Sequence, residues 1–231
     1  MESDGSGPDT GRTARRSVGS RLDRTKDQAI IAAVVDVLAR LGFTGFTMDE
    51  VAVSAGVGKG AIYRRWAGKT DLLAGYIEGS LLDTLDVRDT GSLGTDLVAL
   101  LTSAVAHFNG PAGRANRALL SAVHEDATLA AAYHAGPAAQ WRTAFDDVLR
   151  RAADRGEIEP TAGASLAAEA GAAILVQRWL LLGAHIDGAV VTAVVDEVVL
   201  PLLRSRGERP LPEVPAPGTS SSERRGEDVG G

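Results

Sequence analysis

The chain contains no cysteine. That excludes disulfides, thiolate zinc sites and cysteine nucleophiles together, and it fits a reducing compartment. Histidine is scarce. The four histidines, at positions 107, 124, 134 and 185, show no H-x-x-x-H or H-E-x-x-H spacing, so the usual signature of a helical zinc site is missing. No Ser-His-Asp set can be defined by spacing, and no catalytic residue is assigned. The N-terminus, MESDGSGPDTGRTARRS, lacks the apolar core of a signal peptide. Long apolar runs are also absent. The most apolar stretch, 170–184, is interrupted by Gln177 and Arg178 and is shorter than the ~20 residues of a membrane span. These absences lead us to expect a cytoplasmic protein with no cofactor, no metal and no membrane partner.

What is present is mostly alanine, leucine and charge. Of 231 residues, 45% are hydrophobic and only 4% aromatic, and few segments are dense in the β-branched and aromatic residues of strands. An all-α chain is expected. The net charge is −6, which on its own argues against nucleic acid. Its distribution argues the other way. Residues 11–70 hold eleven Lys/Arg and five Asp/Glu, a balance of +6, which leaves −12 for the remainder. A basic segment on an acidic body fits a nucleic-acid footprint confined to one module.

Residues 1–20 and 206–231 are poor in large apolar side chains and are expected to be disordered. Between them the pattern is helical. Ile30, Val34, Val37, Leu38 and Leu41 form one stripe, and Gly42 supplies a stop. Thr47-Met48-Asp49-Glu50 is a capping box that opens a helix through Ala55. Further helices are expected over 70–86, 95–108, 116–123 and 126–134. Pro111 and Gly113 should break the chain. Gly136-Pro137 should interrupt it again, with Pro137 starting a long helix to Ala153. The final pair spans 164–183 and 189–204, with a kink or end at Pro201.

The stretch AGVGKGAIYRRW, 55–66, carries the functional argument. Gly56, Gly58 and Ala61 satisfy the spacing of a dinucleotide-binding turn. That turn needs a strand before it, and here a capped helix precedes it. A P-loop needs a glycine five residues before Gly58, where Val53 stands. A helix-turn-helix fits instead. Ala52 is the small residue at the crossing, and Gly56 makes the turn. Val51, Ala55, Val57 and Ile62 hold the two helices together, and Trp66 closes the second in place of an apolar residue at Arg65. Gly58, Lys59 and Gly60 then permit close approach to the major groove. Lys59 is placed for base edges or phosphate, backbone N–H groups and the side chains of Tyr63 and Lys69 for phosphate, and Arg64 and Arg65 add charge.

From about Arg24 to Leu73, including GFTGFTMDEVAVSAGVGKGAIYRRWAGKTDLL, the chain resembles the DNA-binding domain of the TetR (tetracycline-repressor-like) transcriptional regulators. The segment LLSAVHEDATLAAAYHAGPAAQWRTAFDDVLRRAADRGEIE is similar to an actinobacterial-type C-terminal subgroup of that family. The resemblance implies an all-helical homodimer of about nine helices. Helices 1–3 would bind a double-stranded operator, and the last two (about 164–204) would form the dimer interface. It places Lys59, Gly60, Ala61 and Tyr63 on the DNA, with Thr47 and Lys69 on phosphates. The family usually has Ser or Thr where Gly58 stands, so one cap and one phosphate contact are weakened here. The basic arm, Arg12, Arg15, Arg16 and Arg21, is either a minor-groove contact or a solvated tail.

The implied organisation is a disordered basic arm (1–20), a helix-turn-helix domain (21–68), a helical ligand-binding and dimerisation domain (69–205) and a disordered tail (206–231). Ala164, Ala168, Gly171, Ala172 and Leu175 form a face of mostly small residues suited to a dimer seam or to a core. Phe108, Trp141, Phe145, Gln177 and Trp179 are candidates for a ligand pocket, and Arg178, His107 and His124 for polar anchors. A small molecule there would shift the helix after residue 69 and separate the reading helices. Moving a population from 1:99 to 99:1 needs about 10⁴-fold preference for one state, ~5.5 kcal/mol. Two other classes compete with this ligand-released repressor: a sequence-tolerant architectural DNA binder and a nucleotide-using enzyme.

Overall fold

The computed structural model describes residues 10–80, 85–159 and 166–204, with side chains from residue 25 onward. Residues 1–9, 81–84, 160–165 and 205–231 lie outside the described residues, and so do the side chains of Arg12, Arg15, Arg16 and Arg21. The elements are α1 (Thr10–Gly45), α2 (Met48–Ala55), α3 (Lys59–Tyr63), α4 (Lys69–Gly79), α5 (Leu93–Asn109), α6 (Pro111–Glu125), α7 (Ala127–Tyr133), α8 (Ala139–Asp154), α9 (Leu166–Leu180), α10 (Gly188–Val194) and α11 (Leu200–Arg204). A π-turn over His134–Ala138 joins α7 to α8, and another over Val195–Val199 joins α10 to α11. The described residues therefore form nine continuous helical rods and no strand.

α1 starts at Thr10, so residues 10–20 are helical backbone where a disordered arm was expected. Arg12, Ala14, Arg15 and Arg16 favour helix there, and no proline stands between Pro8 and Pro111. The stop at Gly42 holds, with φ +69° breaking the helical path. Thr25–Gly45 is long and apolar enough to cross a membrane by length and hydropathy. Ile30, Val34, Val37 and Leu38 are each at most 1% exposed, and α1 packs on α2 and α6. The stripe is core.

Four element boundaries differ from expectation. The helix expected over 70–86 ends at Gly79, where the Ser80 hydroxyl donates to the Ile77 carbonyl, and residues 85–90 are irregular. Pro111 does not break the chain but sits at the first position of α6, where its missing N–H costs nothing. Gly113 is inside the same helix, and it must be glycine because a Cβ there would stand 1.9 Å from the Phe108 carbonyl oxygen. Neither Pro137 nor Pro201 ends its helix. In each case the adjoining π-turn widens the backbone locally and removes the clash a proline makes in a regular helix.

Two apolar clusters organise the rods. One contains α5 and α8 to α11, around Leu97, Leu100, Phe145, Val148, Leu175 and Val199. The other joins the first three helices to α4, α6 and α7, through Val37, Phe46, Val51, Ile62, Leu72, Leu119 and Leu129. The second cluster runs across the boundary expected at 68/69, so no packing gap separates the basic module from the body.

Candidate nucleic-acid interface and inner cavity

The basic module is built around two turns. Thr47 adopts an extended conformation, and its Oγ1 accepts the Glu50 N–H at 3.1 Å, capping α2. Gly56 at φ +63° ends α2 in the left-handed region, while the Val57 N–H reaches the Ala52 carbonyl at 3.1 Å. Val51 and Ile62 are fully buried and Ala52 is 5% exposed, so the apolar side of the crossing is sealed. The helix α2, not a strand, leads into Gly56, which removes the structural context of a dinucleotide turn.

α3 points its other side outward. Ile62 faces in and Ala61 is half-buried, whereas Gly58, Lys59, Gly60, Tyr63 and Arg64 are exposed, as is Thr47 at the start of α2. Lys59/Tyr63 and Gly60/Arg64 are i,i+4 pairs, so the five-residue helix presents two cations, a phenol and an open backbone on one side. A Cβ at Gly58 would meet nothing within 4 Å, and one at Gly60 only the end of Arg64. Gly58 caps α3 without a side-chain bond, as its lack of a hydroxyl dictates.

Three basic side chains differ in what holds them. Lys59 Nζ lies 2.7 Å from Asp49 Oδ2, an exposed ion pair bridging α2 and α3. Arg65 turns inward to an ion pair with Asp27 of α1, filling with charge the position where an apolar contact is usual. Trp66 closes α3 against α4, where a Cβ on Gly75 would come 2.9 Å from its Nε1. Lys69, expected at a phosphate, has partners within the chain itself. Its Nζ donates to the Phe43 carbonyl at 2.8 Å and lies 3.9 Å from the Phe43 ring centroid. Burial holds its pKa below the ordinary lysine value. The carbonyl and the ring face offer this ammonium a nearer partner than solvent.

The body encloses a cavity of about 450 Å³. Phe108, Trp141, Phe145 and Trp179 line it together with Tyr133, so five of the ten aromatic residues of the chain converge there. Phe108 stacks on Trp179 at 4.9 Å, and Trp141 is tilted against Phe145 at 6.2 Å. Gln177 is not among the lining residues. It is exposed on α9, because the stripe Ala168, Gly171, Leu175 and Trp179 carries that helix's bulk into the core. The same rotation turns Ala168, Gly171, Ala172 and Leu175 inward, Gly171 against Val199, so this face is core and cavity wall instead of a seam. Ala164 lies outside the described residues. His124 and Arg178 do not reach the cavity, whereas His107 does.

His107 was legible as a polar anchor; its partners were not. Tyr76 O–H donates to Asn116 Oδ1 at 2.8 Å, and Asn116 Nδ2 lies 2.9 Å from His107 Nε2. This chain crosses from α4 through α6 to α5. Burial lowers the pKa of His107 and raises that of Tyr76, which keeps both neutral. Among the described residues no group of three or more His, Cys, Asp or Glu could hold a metal ion.

An exposed cationic helix-turn-helix carried by a cavity-bearing helical body defines a DNA-binding regulator. The comparisons specify which. The profile of the bacterial regulatory proteins of the tetR family matches residues 30–76, and that of tetracyclin repressor-like C-terminal domains matches residues 87–198. A relative from Mycobacteroides abscessus, described as a DNA-binding transcriptional repressor TetR, is 34% identical over 78% of this chain and 95% of its own length. An uncharacterised HTH-type transcriptional regulator of Bacillus subtilis, YdeS, is 25% identical over 77% of this chain and 89% of its own. The solved structure of the TetR family transcription regulator SCO0332 is 32% identical, with a TM-score of 0.57, over 74% of this chain and 94% of that one. The chain belongs to the tetR family of bacterial regulatory proteins and is a DNA-binding transcription regulator.

Proposed function

We propose that the protein is a homodimeric repressor that leaves a near-palindromic operator when a small molecule fills the inner cavity. One observation carries this. α4 lines the cavity through Ile77 and Ser80, while Lys69 at its other end grips the Phe43 carbonyl in the DNA-binding unit. One helix thus touches both places, as a two-state coupling requires. Lys59, Gly60, Tyr63 and Arg64 would face the major groove, with Thr47 and the Gly58 backbone at phosphates. The dimer would form on the outward side of α9 to α11, where Leu166 at the start of α9 and Leu181 and Leu182 in the turn after it are 42%, 73% and 65% exposed. A two-fold dimer reads two half-sites one or a few helical turns apart. The protein would act where its DNA is, in the cytoplasm, with no catalytic role.

The test is to incubate the purified chain with sheared DNA of its source and to sequence what it retains. A shared near-palindrome, lost in a Lys59→Ala/Tyr63→Ala double variant, supports the reading. Retention without a common motif favours a sequence-tolerant architectural binder, and no retention overturns operator binding by the free protein.

A further inference from the structure

The cavity has a chemical gradient. Its charged lining residues, Arg142, Asp146 and Glu169, are all exposed and stand at the rim. Its sheltered polar groups include the imidazole of His107, 7% exposed, and the half-buried amide of Asn116. The indole N–H of Trp141 is also buried, without a hydrogen-bond partner among the described residues, and the Ser80 hydroxyl is committed to the Ile77 carbonyl. Between rim and inner end lie the Phe108–Trp179 stack and the Trp141–Phe145 pair, which form flat apolar walls. We propose that the cavity takes a planar, largely carbon molecule bearing one neutral hydroxyl or carbonyl, which is hydrogen-bonded at the inner end by Asn116 and His107. This rests on the cavity being the effector site proposed above.

The argument is one of hydrogen-bond capacity and of charge. The amide of Asn116 offers two protons and two lone pairs, and an imidazole offers one donor and one acceptor. The observed chain uses one proton of Asn116 Nδ2, one lone pair of Oδ1 and the Nε2 lone pair of His107. A second amide proton, a second carbonyl lone pair and the imidazole Nδ1–H remain chemically available. A hydroxyl, being both donor and acceptor, matches that remainder.

A carboxylate or an ammonium beside His107 and Asn116 would be desolvated, since the charged lining residues Arg142, Asp146 and Glu169 are all exposed at the rim, His107 and Tyr76 are neutral, and the Arg117 guanidinium is committed to the Trp179 carbonyl and ring. Nor does the rim favour an anion. One guanidinium faces two carboxylates there, for a balance of −1.

Four matched probes test this by titration calorimetry on the full chain: naphthalene, 2-naphthol, 2-naphthoate and 2-naphthylmethylammonium. They share one flat body and differ only in the group it carries. We expect 2-naphthol to bind tightest, about tenfold more tightly than naphthalene, the factor that one net hydrogen bond supplies. Asn116→Leu and His107→Leu should each reduce that preference below about twofold while naphthalene still binds, which also shows that the cavity has folded. Where a variant does not fold, the order of the four affinities on the unaltered chain decides alone.

Equal binding of naphthalene and 2-naphthol, or tighter binding of either charged probe, overturns the neutral-group inference and leaves the effector site standing. Binding of none of the four overturns both.

Discussion

Lys59 and Lys69 stand ten residues apart on the basic module and are held in opposite ways. Lys59 is exposed and paired with Asp49, so its ammonium can exchange one partner for another at small cost. Lys69 is tucked against the Phe43 carbonyl and ring. We expect Lys69→Met to lower the melting temperature by the equivalent of about 1 kcal/mol, the worth of such a bond. The salt dependence of DNA binding should be unchanged. A log Kd against log salt plot shallower by about one would return Lys69 to the phosphates. Asp49→Asn should act differently. Removing a carboxylate from a surface that meets DNA should tighten binding to random duplexes several-fold at low salt and narrow the gap to the operator. Unchanged random-duplex affinity in fluorescence anisotropy would show that Asp49 stands clear of the DNA. The caps at Thr47 and Gly56 were legible because each is settled within four residues. The partners of Lys69 and Arg65 lie 26 and 38 residues back along the chain, at Phe43 and Asp27, and no local pattern encodes them.

At the scale of elements, proline misleads where a π-turn absorbs it. Pro137 and Pro201 read as breaks because a regular helix has no room for the ring. The chain instead widens by one residue at 134–138 and 195–199 and carries on. The first of these turns has a further use. A Cβ on Gly136 would come 2.7 Å from Glu78 Cα, and Gln140 Nε2 donates to the Glu78 carbonyl at 3.2 Å. The end of α4 therefore rests directly on the π-turn, backbone against backbone. Gly136→Ala has no flexible side chain to push aside, and we expect it to cost about 1–3 kcal/mol. Because α4 would have to move, the same variant should change operator affinity more than a Gly79→Ala control, whose added Cβ meets nothing within 4 Å. Equal melting temperatures for the two variants would show that α4 does not depend on this contact. Helix type was legible from alanine and leucine content and from period. Ends set by a local cap, at Gly42, Thr47 and Gly56, were legible too, whereas the end of α4 and the passages through Pro137 and Pro201 were not, since they depend on the backbone around them and on close approaches between distant segments.

For the molecule as a whole, two buried ionisable groups near opposite ends of α5 contribute to its response to acid. Beside them stand the more exposed carboxylates of Glu157, which the Leu93 N–H and Arg155 also hold below its ordinary value, and of Asp86, which Arg88 holds down likewise. At the foot of the body, Asp96 is 1% exposed and accepts the Thr90 N–H and Oγ1–H, each at 2.6 Å, and the Arg155 guanidinium at 3.0 Å. Burial pushes its pKa up, but the bonds from Thr90 and Arg155 outweigh it and hold the carboxyl below its ordinary value. A depressed carboxylate stabilises the fold fully above its unfolded pKa of ~3.9, and this contribution is lost as pH falls through the lower folded value. His107 behaves in the same direction at a higher pH. Its buried imidazole resists protonation, so below the unfolded pKa of ~6.5 the unfolded state takes up the proton and stability drops. Melting temperature should therefore fall in two steps on acidification, one below about pH 6.5 and one below about pH 4. Asp96→Asn should cost about 2–3 kcal/mol at pH 7 and flatten only the lower step, while His107→Gln should flatten only the upper one. A single step common to the parent and both variants would mean that neither group controls acid unfolding. Loss of both steps in His107→Gln alone would mean that the cavity and the foot of the body do not melt as separate sites.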